Sequence, residues 1–264
     1  MELTNNQREL VVCKDAAVLS HKAAEHFVTS ALNSVSSHGR FSVALSGGST
    51  PRAMFSVLAE EPLRGQVPWA STFVFWSDER TVPPDNPDSN YKMAYDSLIS
   101  QVPLPPENIH RMRGEADPNQ AADEYQTELR QFFGPGLPRF DLVLLGMGDD
   151  GHTASLFPGT AALAITDRLV AANYVPRMNT NRLTFTFATI NAAAAVGFLV
   201  QGKSKAKILK EVLENRHRPE PLPSQLIAPT NGELLWMTDR DAVSQLNLAS
   251  QLGNADIEVL QLPA

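Results

Sequence analysis

The residues best suited to chemistry lie in the glycine-rich segment GMGDDGH (146–152), which directly follows an apolar run. His152 stands two residues after Asp150, and the glycines around them leave room for a ligand. An imidazole can take up a proton near neutral pH, and a nearby carboxylate can hold one ring orientation and stabilise the protonated form. An isolated histidine more often packs or caps a turn. Its position after the most strand-like run of the chain, residues 140–145, favours His152 as a general base.

A second segment, SGGSTP (46–51), has the composition of an anion-binding turn. Glycines let the backbone approach an anion, and a helix predicted to begin at Pro51 adds the positive end of its dipole. Ser49 and Thr50 contribute hydroxyl donors. An ordinary strand-to-helix turn fits the segment equally well. Because the Walker lysine is missing, a nucleoside triphosphate is disfavoured.

A third segment, SDER (77–80), follows a strand predicted to end at Trp76. Arg80 could hold a phosphate or carboxylate through two parallel hydrogen bonds. Taken alone, however, the segment favours an interpretation in which Arg80 pairs with Asp78 or Glu79 in a solvated charge cluster.

Several other kinds of site are disfavoured. The segment 146–151 matches GxGxxG, but Asp149 and Asp150 would face the pyrophosphate, and Pro158 would cut short the helix that a dinucleotide site needs. An NAD-linked dehydrogenase therefore stays only a third hypothesis. There is no GxSxG elbow and no HExxH pattern, so we predict neither a serine-hydrolase triad nor a metal or cofactor. The remaining histidines are scattered: His21, His26, His38, His110 and His217.

Composition sets broader limits. The 264 residues carry a net charge of −7, 43% hydrophobic residues and a single cysteine, Cys13. These values exclude a disordered chain, a coiled coil and a disulfide framework. The acidic balance disfavours nucleic acid and anionic membranes as partners. The first residues lack a signal-peptide pattern, and no apolar run approaches the ~20 residues of a membrane span, so we expect a cytoplasmic protein.

Strands and helices are predicted to alternate along the chain. The pattern indicates strands at 41–45, 72–76, 140–145, 183–187, 196–200 and 234–237, and helices at 17–35, after Pro51, through Tyr95 to Ile99, after Pro118 and at 204–213. Continuous apolar strands between helices predict an α/β fold with a mostly parallel sheet and helices on both faces. We find no linker and expect one domain over 1–264. Ligands of such sheets bind at the carboxyl ends of the strands, where all three segments lie.

In their order along the chain, the segments SGGSTP, SDER and GMGDDGH resemble those of the 6-phosphogluconolactonases, which share a superfamily with the glucosamine-6-phosphate deaminases/isomerases. The matching motifs are LSGGSTP (45–51), SDERTVP (77–83), SNY (89–91), FDLVLLGMGDDGHTASLFPG (140–159), NRLTFTF (181–187), INAA (190–193) and GKSKA (202–206). The resemblance runs from about residue 10 to 245. It implies a Rossmann-like fold and hydrolysis of 6-phospho-D-glucono-1,5-lactone without metal or cofactor.

The resemblance also implies roles for individual residues. His152 would take a proton from the attacking water, and Asp150 would orient His152. Backbone N–H groups near Gly148 or Gly47 are the candidates to stabilise the oxyanion. The phosphate would be held by Gly47, Gly48, Ser49, Thr50, Arg80, Lys205 and, as a further candidate, Arg182. The expected partner is a small phosphosugar lactone, bound by a monomer or weak homodimer.

Two alternatives remain. An amino-sugar phosphate deaminase/isomerase would carry Glu where this chain has Phe157, and Asp-Glu-Tyr rather than Asp-Glu-Arg after the second strand. A non-catalytic sugar-phosphate sensor would be expected to have lost His152 or Asp150, or to have gained a DNA-binding domain.

The chain departs from the family pattern at Ala194, where an Arg follows INAA in human-like members. Residues 246–264 match nothing familiar and could form a packed helix and strand or a contact surface.

Overall fold

The structure is a computed structural model that describes residues 8–215 and 219–262, so His217 lies outside the described residues. The strands are β1 (Arg8–Cys13), β2 (Phe41–Leu45), β3 (Thr72–Trp76), β4 (Asp78–Arg80), β5 (Ile109–His110), β6 (Leu142–Leu145), β7 (Val170–Val175), β8 (Thr180–Phe185), β9 (Ala195–Val200), β10 (Glu233–Asp239) and β11 (Ile257–Gln261). The helices are α1 (Ala16–His38), α2 (Ser49–Leu58), α3 (Leu63–Gln66), α4 (Asn90–Ser97), α5 (Pro118–Phe133), α6 (Phe187–Asn191), α7 (Ala206–Glu214) and α8 (Arg240–Val243). Short 3₁₀ turns lie at Trp69–Ser71, Ile99–Gln101, Pro106–Asn108, Ala161–Ala164, Pro176–Met178, Lys203–Lys205, Pro223–Leu226 and Asn247–Gln251.

Eight strands form the main sheet in the order β11-β1-β10-β9-β6-β2-β3-β5. All neighbouring pairs are parallel except β11, which runs antiparallel to β1. Successive strand residues face opposite sides: Val43 and Leu45 pack with α1 and α2, whereas Ala44 packs with α5 and α7. The predicted α/β architecture, a mostly parallel sheet with helices on both faces, is confirmed.

Local signals set the ends of α1. The Asp15 carboxylate accepts hydrogen bonds from the N–H groups of Ala17 and Val18, which would otherwise be unpaired at the start of the helix. At the other end, Gly39 takes a left-handed φ of 83° and donates its N–H to the carbonyl of Val35. Asp15 and Gly39 therefore bound the helix that the sequence predicts at 17–35.

A second, three-stranded antiparallel sheet has the order β4-β8-β7 and was not expected. The sequence placed residues 183–187 in the parallel sheet, and that prediction is wrong. Strand β8 instead pairs with β4 and β7, and Phe187 already begins α6. The register sets Arg80 of β4 directly opposite Arg182 of β8. This small sheet thereby carries side chains to the carboxyl edge of the main sheet.

The C-terminal segment contains a 3₁₀ turn and then β11, an edge strand on β1. Its inward side chains, Leu260 and Leu262, pack against the core. Among the helices at 8–215 and 219–262, none is long and apolar enough to cross a bilayer.

Candidate active site

The loops that follow β2, β6 and β9 and the strand β4, which comes directly after β3, line one cavity of about 350 Å³. They come together because the parallel strands β2, β3, β6 and β9 end at the same edge of the main sheet. The sequence-predicted residues lining the cavity are Gly47, Gly48, Ser49, Thr50, Arg80, Gly148, His152, Arg182 and Lys205. Asp150 does not line the cavity but contacts His152 from behind. The structure thus brings all the predicted residues together.

His152 and Asp150 form a directed pair. The imidazole Nδ1 lies 2.5 Å from Asp150 Oδ1, and the same oxygen accepts the backbone N–H of His152 at 3.2 Å. Burial works against ionisation of Asp150, but its hydrogen bond with His152, the charge of that ring and then the charge of Arg177 outweigh it and lower the pKa of Asp150 to about 2. Asp150 is therefore a carboxylate at neutral pH. With Nδ1 bonded to it, Nε2 is the nitrogen left for a substrate or water.

Glycine at 148 is required by the position of the imidazole. A Cβ added there would lie 2.0 Å from both Nδ1 and Cε1 of His152 and 2.9 Å from Asp150 Oδ1. The loop also closes on itself: Gly148 N–H donates to the His152 carbonyl at 2.9 Å, and Gly151, at a φ of 75°, donates its N–H to the Gly148 carbonyl at 3.0 Å. The N–H of Gly148 thus already has a partner, which favours Gly47 over Gly148 as the oxyanion donor.

Two residues that the sequence did not assign complete this side of the site. The Phe157 ring stacks on His152, with centroids 4.0 Å apart, and the Arg177 guanidinium lies 4.8 Å from the Phe157 centroid. Arg177 Nη1 is also 2.7 Å from Asp150 Oδ2. Asp150 is thus held between His152 and Arg177. Nothing in the sequence around Arg177 indicates this contact, because it depends on how the β7–β8 connection folds over the loop.

The segment SGGSTP (46–51) lies at the start of α2, which begins at Ser49, two residues before the expected Pro51. Gly48 occupies the N-cap position with a φ of 113° and supplies no side-chain hydrogen bond to the helix. The first N–H groups of α2, with the positive end of its dipole, are therefore available to an anion in the cavity. Gly47 is constrained differently, since a Cβ there would lie 1.8 Å from Asn90 Oδ1.

The two carboxylates of the third segment serve the structure rather than Arg80. Glu79 is buried and accepts hydrogen bonds from the N–H groups of Arg80, Asn90 and Tyr91 and from the Ser89 hydroxyl. Burial raises the pKa of Glu79, and these four hydrogen bonds oppose the rise. Asp78 accepts a hydrogen bond of 2.8 Å from the Ser155 hydroxyl.

The solvated charge cluster favoured for SDER alone is therefore wrong. The Arg80 guanidinium donates to the carbonyl oxygen of Asp88 and pairs with no carboxylate in the described part of the chain. Arg182, directly opposite, likewise has no carboxylate partner among these residues. Burial, and next the charge of Arg80, lower the pKa of Arg182. Like charges opposite each other destabilise a strand pair, so this pair is suited to binding an anion.

Lys205 lines the cavity at the end of the 3₁₀ turn that leads into α7. Its Nζ pairs with Asp149, whose side chain is 80% exposed. An anion in the cavity would compete with a carboxylate that water can readily solvate. The neighbouring Gln201 also lines the cavity, and its buried Oε1 has no hydrogen-bond partner among the described residues.

Other site types lack support. No group of three or more His, Cys, Asp or Glu side chains within residues 8–215 and 219–262 could hold a metal ion. After GMGDDG the chain forms turns, and the first helical residues are the short 3₁₀ turn Ala161–Ala164. The long helix of a dinucleotide site is therefore absent from this described segment.

Known proteins match this chain over most of its length. A profile of the family described as glucosamine-6-phosphate isomerases/6-phosphogluconolactonase matches residues 14–236. A protein of Synechocystis named 6-phosphogluconolactonase is 42% identical over 233 residues, which cover 87% of this chain and 94% of the relative. A Nostoc protein of the same name is 40% identical over 92% of this chain and 100% of its own. The solved 6-phosphogluconolactonase of Trypanosoma cruzi superposes with a TM-score of 0.81 at 30% identity, covering 93% of this chain and 98% of its own.

Proposed function

The chain belongs to the family of glucosamine-6-phosphate isomerases and 6-phosphogluconolactonases, and we propose that it is the lactonase, a carboxylic ester hydrolase. It converts 6-phospho-D-glucono-1,5-lactone and water to 6-phospho-D-gluconate, the second step of the oxidative pentose phosphate pathway. The observation that carries the proposal is that the Asp150-bound imidazole of His152 shares one cavity with the guanidinium groups of Arg80 and Arg182, which have no carboxylate partner among the described residues. Curated relatives at 42% and 40% identity support it through their names.

His152 acts as the general base. Asp150 accepts a hydrogen bond from Nδ1–H, which leaves the lone pair of Nε2 free to take a proton from water. As the proton leaves, the water oxygen bonds to the lactone carbonyl carbon. The carbonyl oxygen then carries negative charge, for which the N–H of Gly47 is the candidate donor. When the tetrahedral intermediate collapses, the ring ester bond breaks and the leaving oxygen takes the proton from the imidazolium. The new carboxylic acid loses its own proton to solvent.

The phosphate binds in the same cavity. The N–H groups and hydroxyls of Ser49 and Thr50, at the start of α2, offer donors to its oxygens. Arg80 and Arg182 supply charge that no described carboxylate neutralises, and Lys205 adds charge as the phosphate replaces Asp149. The residues that bind the phosphate therefore determine substrate affinity, whereas His152 and Asp150 carry out proton transfer.

The family includes enzymes of a second chemistry, and one contact disfavours it here. Isomerisation and deamination of amino-sugar phosphates move protons on carbon, for which the expected Glu is replaced by Phe157. The Phe157 ring stacks on His152 and can neither donate nor accept a proton. A non-catalytic sensor would have no use for the oriented Asp150–His152 pair.

The decisive experiment generates the lactone with glucose-6-phosphate dehydrogenase and follows its disappearance against spontaneous hydrolysis. The wild-type protein should accelerate the loss, and His152→Ala should lower kcat by at least about 10²-fold, the usual contribution of a general base. His21→Ala, an exposed histidine on α1 outside the cavity, is the matched control. A wild-type rate equal to the spontaneous rate, or release of ammonia from glucosamine 6-phosphate, would overturn the proposal.

A further inference from the structure

Of the four described cations that line the cavity, Arg177 is the one that pairs with Asp150, the carboxylate bonded to His152. It lies in the 3₁₀ turn Pro176–Met178 between β7 and β8, and its side chain is 52% exposed. The turn is fixed by Asn179, which has a left-handed φ of 47° and whose Oδ1 accepts the Tyr174 hydroxyl at 2.7 Å. This geometry points the guanidinium back over Phe157 and onto Asp150 Oδ2.

We propose that Arg177 is a positioning residue that acts through Asp150 and sets how readily His152 takes up a proton. The inference rests on the proposed function, in which His152 is the base. Asp150 has two oxygens, one bonded to the imidazole Nδ1 and the other to Arg177 Nη1. The guanidinium therefore neutralises part of the charge that would otherwise stabilise the imidazolium. It keeps His152 unprotonated, and so active as a base, to lower pH than the Asp150 carboxylate alone would allow.

The arrangement of the rings makes Arg177 a geometric restraint as well. His152, Phe157 and Arg177 form a stack, with 4.0 Å between the first two ring centroids and 4.8 Å from the guanidinium carbon to the Phe157 centroid. Since Phe157 is buried, the stack limits rotation of the imidazole while Asp150 sets its direction. The backbone N–H of His152 also donates to Asp150 Oδ1, so the carboxylate keeps its place when Arg177 is removed.

In the described part of the chain, the other charged groups near His152 form no ion pair with Asp150. On its own loop, Asp149 pairs with Lys205 from the β9–α7 connection. The small sheet contributes Asp78, Arg80 and Arg182, which line the same cavity. The turn packed beneath Gly151 presents the Ser224 hydroxyl, which donates to the Gly151 carbonyl. Of the ion pairs described here, only the one with Arg177 engages the carboxylate that is bonded to the imidazole.

A different role for Arg177 would give a different signature. If Arg177 served only as a phosphate ligand, its replacement would raise KM at every pH and leave the shape of the pH profile unchanged. If it served only to hold the fold, its replacement would lower the thermal unfolding temperature with no change in the profile of the folded protein. The proposal instead requires a change in the protonation of His152.

The test uses Arg177→Gln, the conservative Arg177→Lys, and Arg113→Gln as a matched control. Arg113 is 54% exposed and also pairs with a carboxylate, Glu124, outside the cavity.

The protonation midpoint of the His152 ring is followed by NMR, with the signal assigned by its loss in His152→Gln. In Arg177→Gln this midpoint, and the acidic limb of the lactonase pH–rate profile, should move to higher pH by roughly 0.5–1 unit, as for removal of a unit charge in a partly solvated site. In Arg177→Lys, the midpoint and the acidic limb should lie close to their wild-type pH values. In Arg113→Gln, both should stay at the wild-type values.

The two readouts separate the two hypotheses. An unchanged or lowered midpoint in folded Arg177→Gln would overturn the role of Arg177, even if the wild-type enzyme is an active lactonase. A raised midpoint in a protein that hydrolyses no lactone would leave the role of Arg177 intact and overturn the proposed function.

Discussion

The substitution Gly148→Ala provides the sharpest test of the site geometry. The added methyl group would lie 2.0 Å from two atoms of the His152 ring, whereas real Cβ contacts are essentially never shorter than 3.0 Å, so the ring must retreat by about 1 Å. It has little freedom to do so, because Phe157 stacks on it and Asp150 holds Nδ1 at 2.5 Å. A misplacement of about 1 Å costs on the order of 10²-fold in rate, or about 2.7 kcal/mol of transition-state stabilisation. We expect kcat to fall by that factor.

The assay is the coupled lactone assay at neutral pH, corrected for spontaneous hydrolysis, with KM determined separately. KM should change little, because the phosphate side of the cavity, including Arg80 and Arg182, is untouched. Gly146→Ala is the matched control, since the same methyl group in the same loop meets no atom within 4 Å. It should keep most of the wild-type kcat. A Gly148→Ala enzyme with kcat equal to that of Gly146→Ala would refute the position we assign to the imidazole.

Three further predictions follow from the same geometry. Wild-type activity should fall with a single-proton slope as the pH drops from 8 to 5, because the imidazole becomes charged while the pKa of Asp150, at about 2, keeps that carboxylate ionised; a flat profile would exclude His152 as the base. Lys205→Met should raise KM by roughly 10-fold with little change in kcat, as expected for lost uniform binding of the phosphate, and a change confined to kcat would contradict its role. Since the pKa of Asp150 is lowered from 3.8 to about 2, its stabilisation is present above about pH 4 and is lost as the pH falls towards 2. Urea unfolding of Asp150→Asn should therefore show a deficit of about 1–2 kcal/mol at pH 6 that shrinks below pH 4; a constant deficit would show that the ionised carboxylate is not its source.

The sequence predicts the parts of the molecule that depend on local chemistry. Strand β3 is recognisable with the bounds of the structure, because a parallel strand buried on both faces reads as an uninterrupted apolar run. The helix α1 is equally clear from Asp15 at one end and Gly39 at the other. His152 and Asp150 stand out because they lie two positions apart in a glycine-rich loop directly after the most strand-like run of the chain.

What the sequence does not reveal depends on contacts between distant segments. Strand β4 consists of three polar residues and becomes a strand only by pairing with β8, about a hundred residues later in the chain. Arg177 contacts Asp150 only because the β7–β8 connection folds across the loop after β6. The N–H of Gly148 donates to the His152 carbonyl only because the loop closes on itself. In each case the missing information is the conformation or pairing of the backbone, which residue types do not encode locally.

The net charge of −7 and the proposed anionic substrate are reconciled by how the carboxylates near the cavity are used. Asp78 and Glu79 immediately precede Arg80, yet the first is bonded to Ser155 and the second caps the start of α4, so neither neutralises the arginine. The antiparallel register then sets Arg182 beside it, a like-charge contact that a bound dianion would relieve. Binding of a single phosphate depends on this local arrangement of charges, whereas binding of a nucleic acid or an anionic membrane depends on the charge of a whole protein face. An acidic chain can therefore exclude the polymers and still bind the small anion.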